Sequence, residues 1–316
     1  MRTKTLVGIF VVLAAVLAAV PAAARPRARC GTVTINEQAW IGSTANTYVA
    51  KAVLEHYLGC TVKITQFAEI PVYQALAAGQ TDAVLEDWQH VAQYEQFITK
   101  RHTAVMGGPN GVLGHVGWFV PTYLVRRYPE LRTWQGLKGR ESLFRSSAAS
   151  TKGAFLGGDP SYFHKDRQLI QALGLKLTYV GVRDERTEVA RWTALYAQRK
   201  PVLFYWYTPQ TLNAEYQLSE VKLPPRFPGC VDTVTPGTRL ENYKCAYATQ
   251  VLNKVFSAGF AKSGSPAYPV LKRFKWSNTD QDTVANWIAA DHMDPDKAGQ
   301  KWVAANQATV RQWLGS

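Results

Sequence analysis

The chain has 316 residues, 47% hydrophobic and 19% charged, enough for two domains of ordinary size. Its 36 Lys and Arg outnumber 23 Asp and Glu, for a net charge of +13. Those basic residues are scattered, with no run of four, which argues against a nucleic-acid partner and for a solvated basic surface suited to anionic lipid or wall polymer.

At the N-terminus, Arg2 and Lys4 precede the apolar run Leu6–Val20, and Ala22, Ala23 and Ala24 offer small residues for cleavage. This layout predicts a signal peptide over 1–24, because roughly 15 apolar residues fall short of the ~20 that span a bilayer. The chain is therefore expected to be exported, to the periplasm or the outer face of the cell membrane. Cys30 follows "RPRAR", which is charged and bulky, unlike the lead-in to a lipidated cysteine.

From Gly31 to Trp88 the pattern is strand, helix, strand, helix, strand. "TVTINEQAW" alternates Val33 and Ile35 with polar neighbours. "STANTYVAKAVLEHYLG" then places Val49, Val53, Leu54, Tyr57 and Leu58 on one helical face, with Ser43 expected to cap its start and Gly59 its end. "TVKITQF", "PVYQALAAG" and "TDAVLEDW" continue the unit, which is that of a parallel sheet with right-handed crossovers. With strand order 2-1-3, Trp40 and Trp88 end neighbouring strands and face one crevice, where open sheets bind ligands.

"YPELRTWQGLKG" at 128–139 resembles a linker. Residues 140–205 repeat the α/β pattern through "RQLIQALGL", "KLTYVGV", "TEVARWTALYAQRK" and "PVLFYWY". The last quarter reads as helical, and its Trp302 and Trp313 as packing residues.

Four cysteines in an exported chain read as two disulfides. Three pairings are open. Cys30 and Cys60 each precede a strand, so the expected set is Cys30–Cys60 with Cys230–Cys245 closing a short loop. No C-x-x-C occurs, and the six histidines lack metal-ligand spacing, so no metal or cofactor is expected.

Ten tryptophans are present, and several aromatic groups fall at strand ends: Trp40, Trp88, Trp118 and the run Tyr205, Trp206, Tyr207. Rings converging on a crevice form a cage for a quaternary ammonium ion, which has no N–H to donate and is held by ring faces. Catalysis finds little support. Glu86 and Asp87 are neighbours on a strand and point to opposite faces, and no G-x-S-x-G, H-E-x-x-H or P-loop occurs.

The Trp40 turn with "TYVAKAVLE", "ALAAGQTDAVLEDW", "GWFVPTYL", "GGDPSYF", "PVLFYWYTPQ" and "ADHMDPDKAGQKWVAANQATVRQWL" stand in one order along the chain. In these segments it resembles the glycine-betaine/choline substrate-binding proteins of ABC transporters. The resemblance implies a type II periplasmic-binding-protein-like α/β fold. Each of its two lobes would be a mostly parallel sheet flanked by helices, joined by a two-segment hinge. Lobe I would take 31–139 plus 229–316, and lobe II 140–228. Trp40 and Trp88 match cage tryptophans, and Trp118 a less constant aromatic position. Tyr162 stands where a cage tryptophan is common, and Asp159 where choline-type members have a ligand-contacting Asn. The spacing to Pro209 puts Tyr207 at a cage position, with Trp206 as its alternative. Gln210 replaces a histidine that touches a carboxylate in some members. The ligand stays open among glycine betaine, choline, carnitine and proline betaine. The amides of Ile41, Gly42 and Ser43 at a helix start suit a carboxylate, whereas Asp159 suits choline; the lean is to betaine or carnitine. The implied protein is a non-enzymatic, monomeric binding component that meets a permease. A sensor module and, further off, a secreted hydrolase are the alternatives.

Overall fold

The computed structural model describes residues 30–315 apart from Phe163, so the expected signal peptide lies outside the described residues. Among the described residues nine strands are formed: β1 (Thr32–Asn36), β2 (Thr61–Thr65), β3 (Ala83–Asp87), β4 (Ala104–Pro121), β5 (Gly153–Leu156), β6 (Leu177–Val180), β7 (Phe204–Thr208), β8 (Leu218–Glu220) and β9 (Gln250–Ser257). β1 lies parallel between β2 and β3, which is the expected 2-1-3 order. Val33 and Ile35 are fully buried beneath the helix Ile41–Leu58. Gly59 closes that helix in the left-handed conformation, at φ 66°. Ser43 is not its cap. The helix begins at Ile41 with Trp40 as the flanking residue, and Ser43 Oγ accepts the Gln38 N–H at 2.9 Å.

The second half repeats the arrangement. β5 lies parallel between β6 and β7, with the helices Asp166–Leu173 and Glu185–Ala197 as crossovers. The two halves meet in the middle of the order β2-β1-β3-β9-β4-β7-β5-β6, with β8 beside the end of β4. β9 is antiparallel to both β3 and β4, so the sheet is mixed α/β rather than parallel throughout. β4 serves both halves. Its residues up to Gly114 pair with β9, and from His115 onward they pair with β7 and β8. This switch of partners falls well ahead of the expected boundary at 139/140.

The C-terminal helices cover the first helix. Gly299 lets them approach, since a Cβ there would lie 2.3 Å from the Tyr48 carbonyl oxygen. The apolar stripe of the chain end is cut at Asn306 into Pro295–Ala305 and Gln307–Leu314. Folding back brings Trp302 and Trp313 into a stack at 5.4 Å and 10°, both buried. Disulfides join Cys30 to Cys60, ahead of β1 and β2, and Cys230 to Cys245. Among the described residues no helix is long and apolar enough to cross a membrane.

Candidate functional site: an aromatic cage between the two halves of the sheet

Each half of the sheet sends two rings to the junction. Trp40 follows β1 and Trp88 follows β3; Tyr162 follows β5 and Tyr207 lies near the end of β7. The rings meet edge to face, two pairs across the junction and one within the second half. Trp40 and Tyr162 have centroids 5.5 Å apart at 83°, Trp88 and Tyr207 6.0 Å at 88°, and Tyr162 and Tyr207 6.1 Å at 86°. With Tyr205, Val116 and Glu69 they line a small cavity. The Trp88 indole lies against Gly114, where a Cβ would come within 2.5 Å of its Cζ3.

Behind each pair of rings lies one buried carboxylate. Glu86 Oε1 accepts the indole N–H of Trp40 at 2.7 Å and of Trp88 at 3.1 Å, and Oε2 accepts from Asn46 Nδ2 at 2.6 Å. Glu185 Oε2 accepts from the hydroxyls of Tyr162 and Tyr207, the latter at 2.9 Å, and Oε1 accepts from Gln210 Nε2 at 3.0 Å. Both carboxylates thus fix ring orientation from the rear. Burial raises Glu86 from an ordinary 4.5 to about 7, opposed by its indole hydrogen bonds. Burial raises Glu185 as well, opposed by Tyr162, Tyr207 and Gln210. The phenols of Tyr162, Tyr205 and Tyr207 are pushed well above their usual range by burial and then by nearby carboxylates, so they remain protonated donors.

A third carboxylate differs. Glu69 precedes the helix Pro71–Ala77, is 3% exposed and borders the cavity. Its Oε2 lies 3.4 Å from His90 Nε2, an ion pair longer than a good hydrogen bond. His90 Nδ1 is 3.0 Å from Asp87 Oδ2, and Asp87 also takes the hydroxyls of Tyr73 and Tyr94. Asp87 and Glu69 raise His90 to about 10 against the opposing effect of burial, so the ring is an imidazolium.

The expected site residues divide accordingly. Trp40, Trp88, Tyr162 and Tyr207 are brought together. Trp206 points to the opposite face of β7, fully buried, 5.2 Å from Trp192, with its N–H on Asn213 Oδ1. Trp118 is also fully buried away from the cavity, 4.7 Å from Phe155, and its N–H donates to Asp166 Oδ1 at 2.6 Å. Asp159 holds the turn that presents Tyr162: Oδ1 accepts from Ser161 N and Oγ, and Oδ2 from Glu185 N. The segment Ile41, Gly42, Ser43 does not border the cavity. Gly42 is wedged between Gln281 and Glu86, and Ser43 N–H is turned back to the Trp40 carbonyl. Sequence reasoning missed Glu69, Val116, Gly114 and the role of Tyr205. It weighed Glu86 only as a catalytic acid. The signal for Glu86 was its place two residues before Trp88, on the same face of β3.

A mixed sheet of two like halves, with one ring cage at their junction, defines a type II periplasmic-binding-protein-like solute-binding protein. Among solved structures, the fold is shared with a lactococcal protein in its closed conformation with glycine betaine (TM-score 0.68, 18% identity, 90% of this chain and 99% of that one). It is shared also with a glycine betaine/L-proline-binding protein of Borrelia burgdorferi (0.71, 19%, 89% and 96%). A choline-binding protein in complex with choline is similar too (0.70, 18%, 90% and 92%). Residues 31–305 match the family described as the substrate-binding domain of ABC-type glycine betaine transport systems. The chain belongs to that family, whose members are extracytoplasmic binding proteins and not enzymes.

Proposed function

We propose that the protein captures a small quaternary ammonium compound in the cage of Trp40, Trp88, Tyr162 and Tyr207 and hands it, in the closed state, to an ABC permease. The observation that carries this reading is the meeting of two rings from each half of the sheet around one small cavity. Each desolvated ring contributes up to about 2 kcal/mol to a bound cation. Because neither half holds a complete cage, a ligand favours the closed arrangement over the open one, which is the differential affinity that drives closure. The lobes in this reading divide within β4, at Gly114 and His115, where strand partners change, and again at the start of β9, whose Gln250 pairs with Gly114. Export by the N-terminal signal peptide and action as a monomer belong to the same proposal.

The test is titration calorimetry with tetramethylammonium, choline, glycine betaine, carnitine and proline betaine. Wild type is expected to bind at least one of them. Trp88→Ala is expected to weaken every such ligand by roughly 30-fold with its circular dichroism unchanged. Equal binding by wild type and this variant would refute the cage.

A further inference from the structure

The two halves of the cage correspond element by element. Trp40 and Tyr162 each follow the first strand of a half, and Trp88 and Tyr207 each close the third. Glu69 and Glu185 each stand at the start of the helix that follows the second strand. The correspondence breaks at these two acids. Glu185 is sealed behind its tyrosines with three side-chain donors, whereas Glu69 borders the cavity itself.

No residue that lines the cavity is basic. The buried cations nearby are committed: His90 lies between Asp87 and Glu69, and Lys165 donates to the Val231 carbonyl at 2.8 Å and Asp232 at 3.0 Å. The start of the first helix, where an anionic ligand group could bind backbone amides, does not border the cavity, and a carboxylate of the protein stands beside it. Glu86 Oε2 lies 3.3 Å from the position of a Cβ on Gly42. Asp159 is turned to Ser161 and to the Glu185 amide, away from the cavity. A carboxylate on the ligand therefore finds no cation and no helix start on the cavity wall, and it meets Glu69. A hydroxyl finds in Glu69 a buried carboxyl on the cavity wall that is ion-paired with His90 at 3.4 Å. Glu69 and Tyr162 also border the groove outside the cage, lined by Ile70, Val91 and Ser161, so Glu69 sits where a tail leaving the cage would point.

We propose that Glu69 is the specificity-determining residue of the site, accepting a hydrogen bond from the hydroxyl end of a net-cationic, choline-like ligand and disfavouring zwitterionic betaines. This rests on the cage reading above. Burial raises the Glu69 carboxyl above its ordinary value, and the ion pair with His90, itself held by Asp87, opposes that rise and favours the carboxylate form.

The test uses calorimetry on the purified, disulfide-bonded protein with four probes: tetramethylammonium, choline, the methyl ether of choline and glycine betaine. Wild type is expected to bind choline about tenfold more tightly than either the methyl ether or glycine betaine, the scale of one hydrogen bond to a charged acceptor. Glu69→Gln is expected to shrink the choline-to-betaine ratio by about tenfold, and Glu69→Asp to retain the preference. Glycine betaine binding more tightly than choline to wild type, or an unchanged ratio in Glu69→Gln, overturns the proposal. The wild-type comparison of choline with its methyl ether decides the matter if the variants fail to fold; equal affinities overturn it. Tetramethylammonium separates this from the cage: if it binds wild type and is lost in Trp88→Ala while the ratio ignores Glu69, the cage stands and the specificity proposal falls.

Discussion

Trp206 and Tyr207 are adjacent on β7 and have opposite fates, because alternate strand residues face opposite sides of a sheet. Tyr207 turns to the cage and Trp206 to a separate core with Trp192 and Phe204. The same alternation parts Glu86, which holds the indoles, from Asp87, which holds His90. Glu86 carries a pH prediction. Its pKa is about 7 in the folded protein and an ordinary 4.5 when unfolded, so between these values the folded state binds more protons. Stability from this group is therefore full below pH 4.5 and falls as pH rises to 7, by about 3 kcal/mol as an order of magnitude. Glu69, Glu185, Glu188 and Asp166 are raised in the same direction, and His90 adds a loss of the same sign above about 6.5. Denaturant unfolding of ligand-free protein from pH 5 to 8 should show this decline. Glu86→Gln should flatten it, and cation affinity in wild type should rise over the same window. An identical slope in wild type and Glu86→Gln would refute the assignment.

At the scale of elements, the strand–helix unit at 31–88 and the run of helix, strand, helix and strand at 166–208 were legible because their apolar residues follow the periods of strand and helix, whereas β5 was not read. β4 and β9 were not read as strands. Gly107, Gly108, Gly111, Gly114 and Gly117 interrupt the alternation of β4; other chain comes close at all but Gly108, which takes a positive φ of 81°. At Gly111, for example, a Cβ would sit 2.0 Å from the Trp276 carbonyl oxygen. The segment from Cys230 to Tyr247 has no long element of its own. It is tied by the Cys230–Cys245 disulfide, by Lys165 Nζ on Val231 O and Asp232, and by the Tyr247 hydroxyl on Asp166. Closing a loop of this length limits the unfolded chain by about 3 kcal/mol. The double variant Cys230→Ala, Cys245→Ala should lose stability of that order in urea while retaining Cys30–Cys60. A midpoint equal to wild type would show that the buried Lys165 contacts hold the segment without the disulfide.

Across the whole molecule, charge is sorted by depth. The chain carries +13 overall, yet Glu69, Glu86 and Glu185 gather at the junction behind or beside the rings. The basic surface offers no attraction to a cation at long range, so selectivity lies at the cage, at contact distances. Edge-to-face contacts between Trp40 and Tyr162 and between Trp88 and Tyr207 link the two halves. Small-angle scattering should accordingly record a smaller radius of gyration when choline saturates the protein, and Trp88→Ala should not compact at the same concentration. Equal radii for free and saturated wild type would mean that closure does not depend on the ligand.

The strand–helix units and the placing of Trp40, Trp88 and Tyr162 beyond strand ends could be read from sequence, because each depends on local period or on a motif whose neighbours along the chain fix its place. The tertiary structure alone decided which ring of the aromatic run enters the cage, and it alone paired Glu86 and Glu185 with those rings. It also brought Glu69, from an unremarked loop, to the cavity wall. Those are contacts between residues far apart in sequence, and their energies depend on burial and on which donors converge, quantities that no stretch of sequence carries by itself.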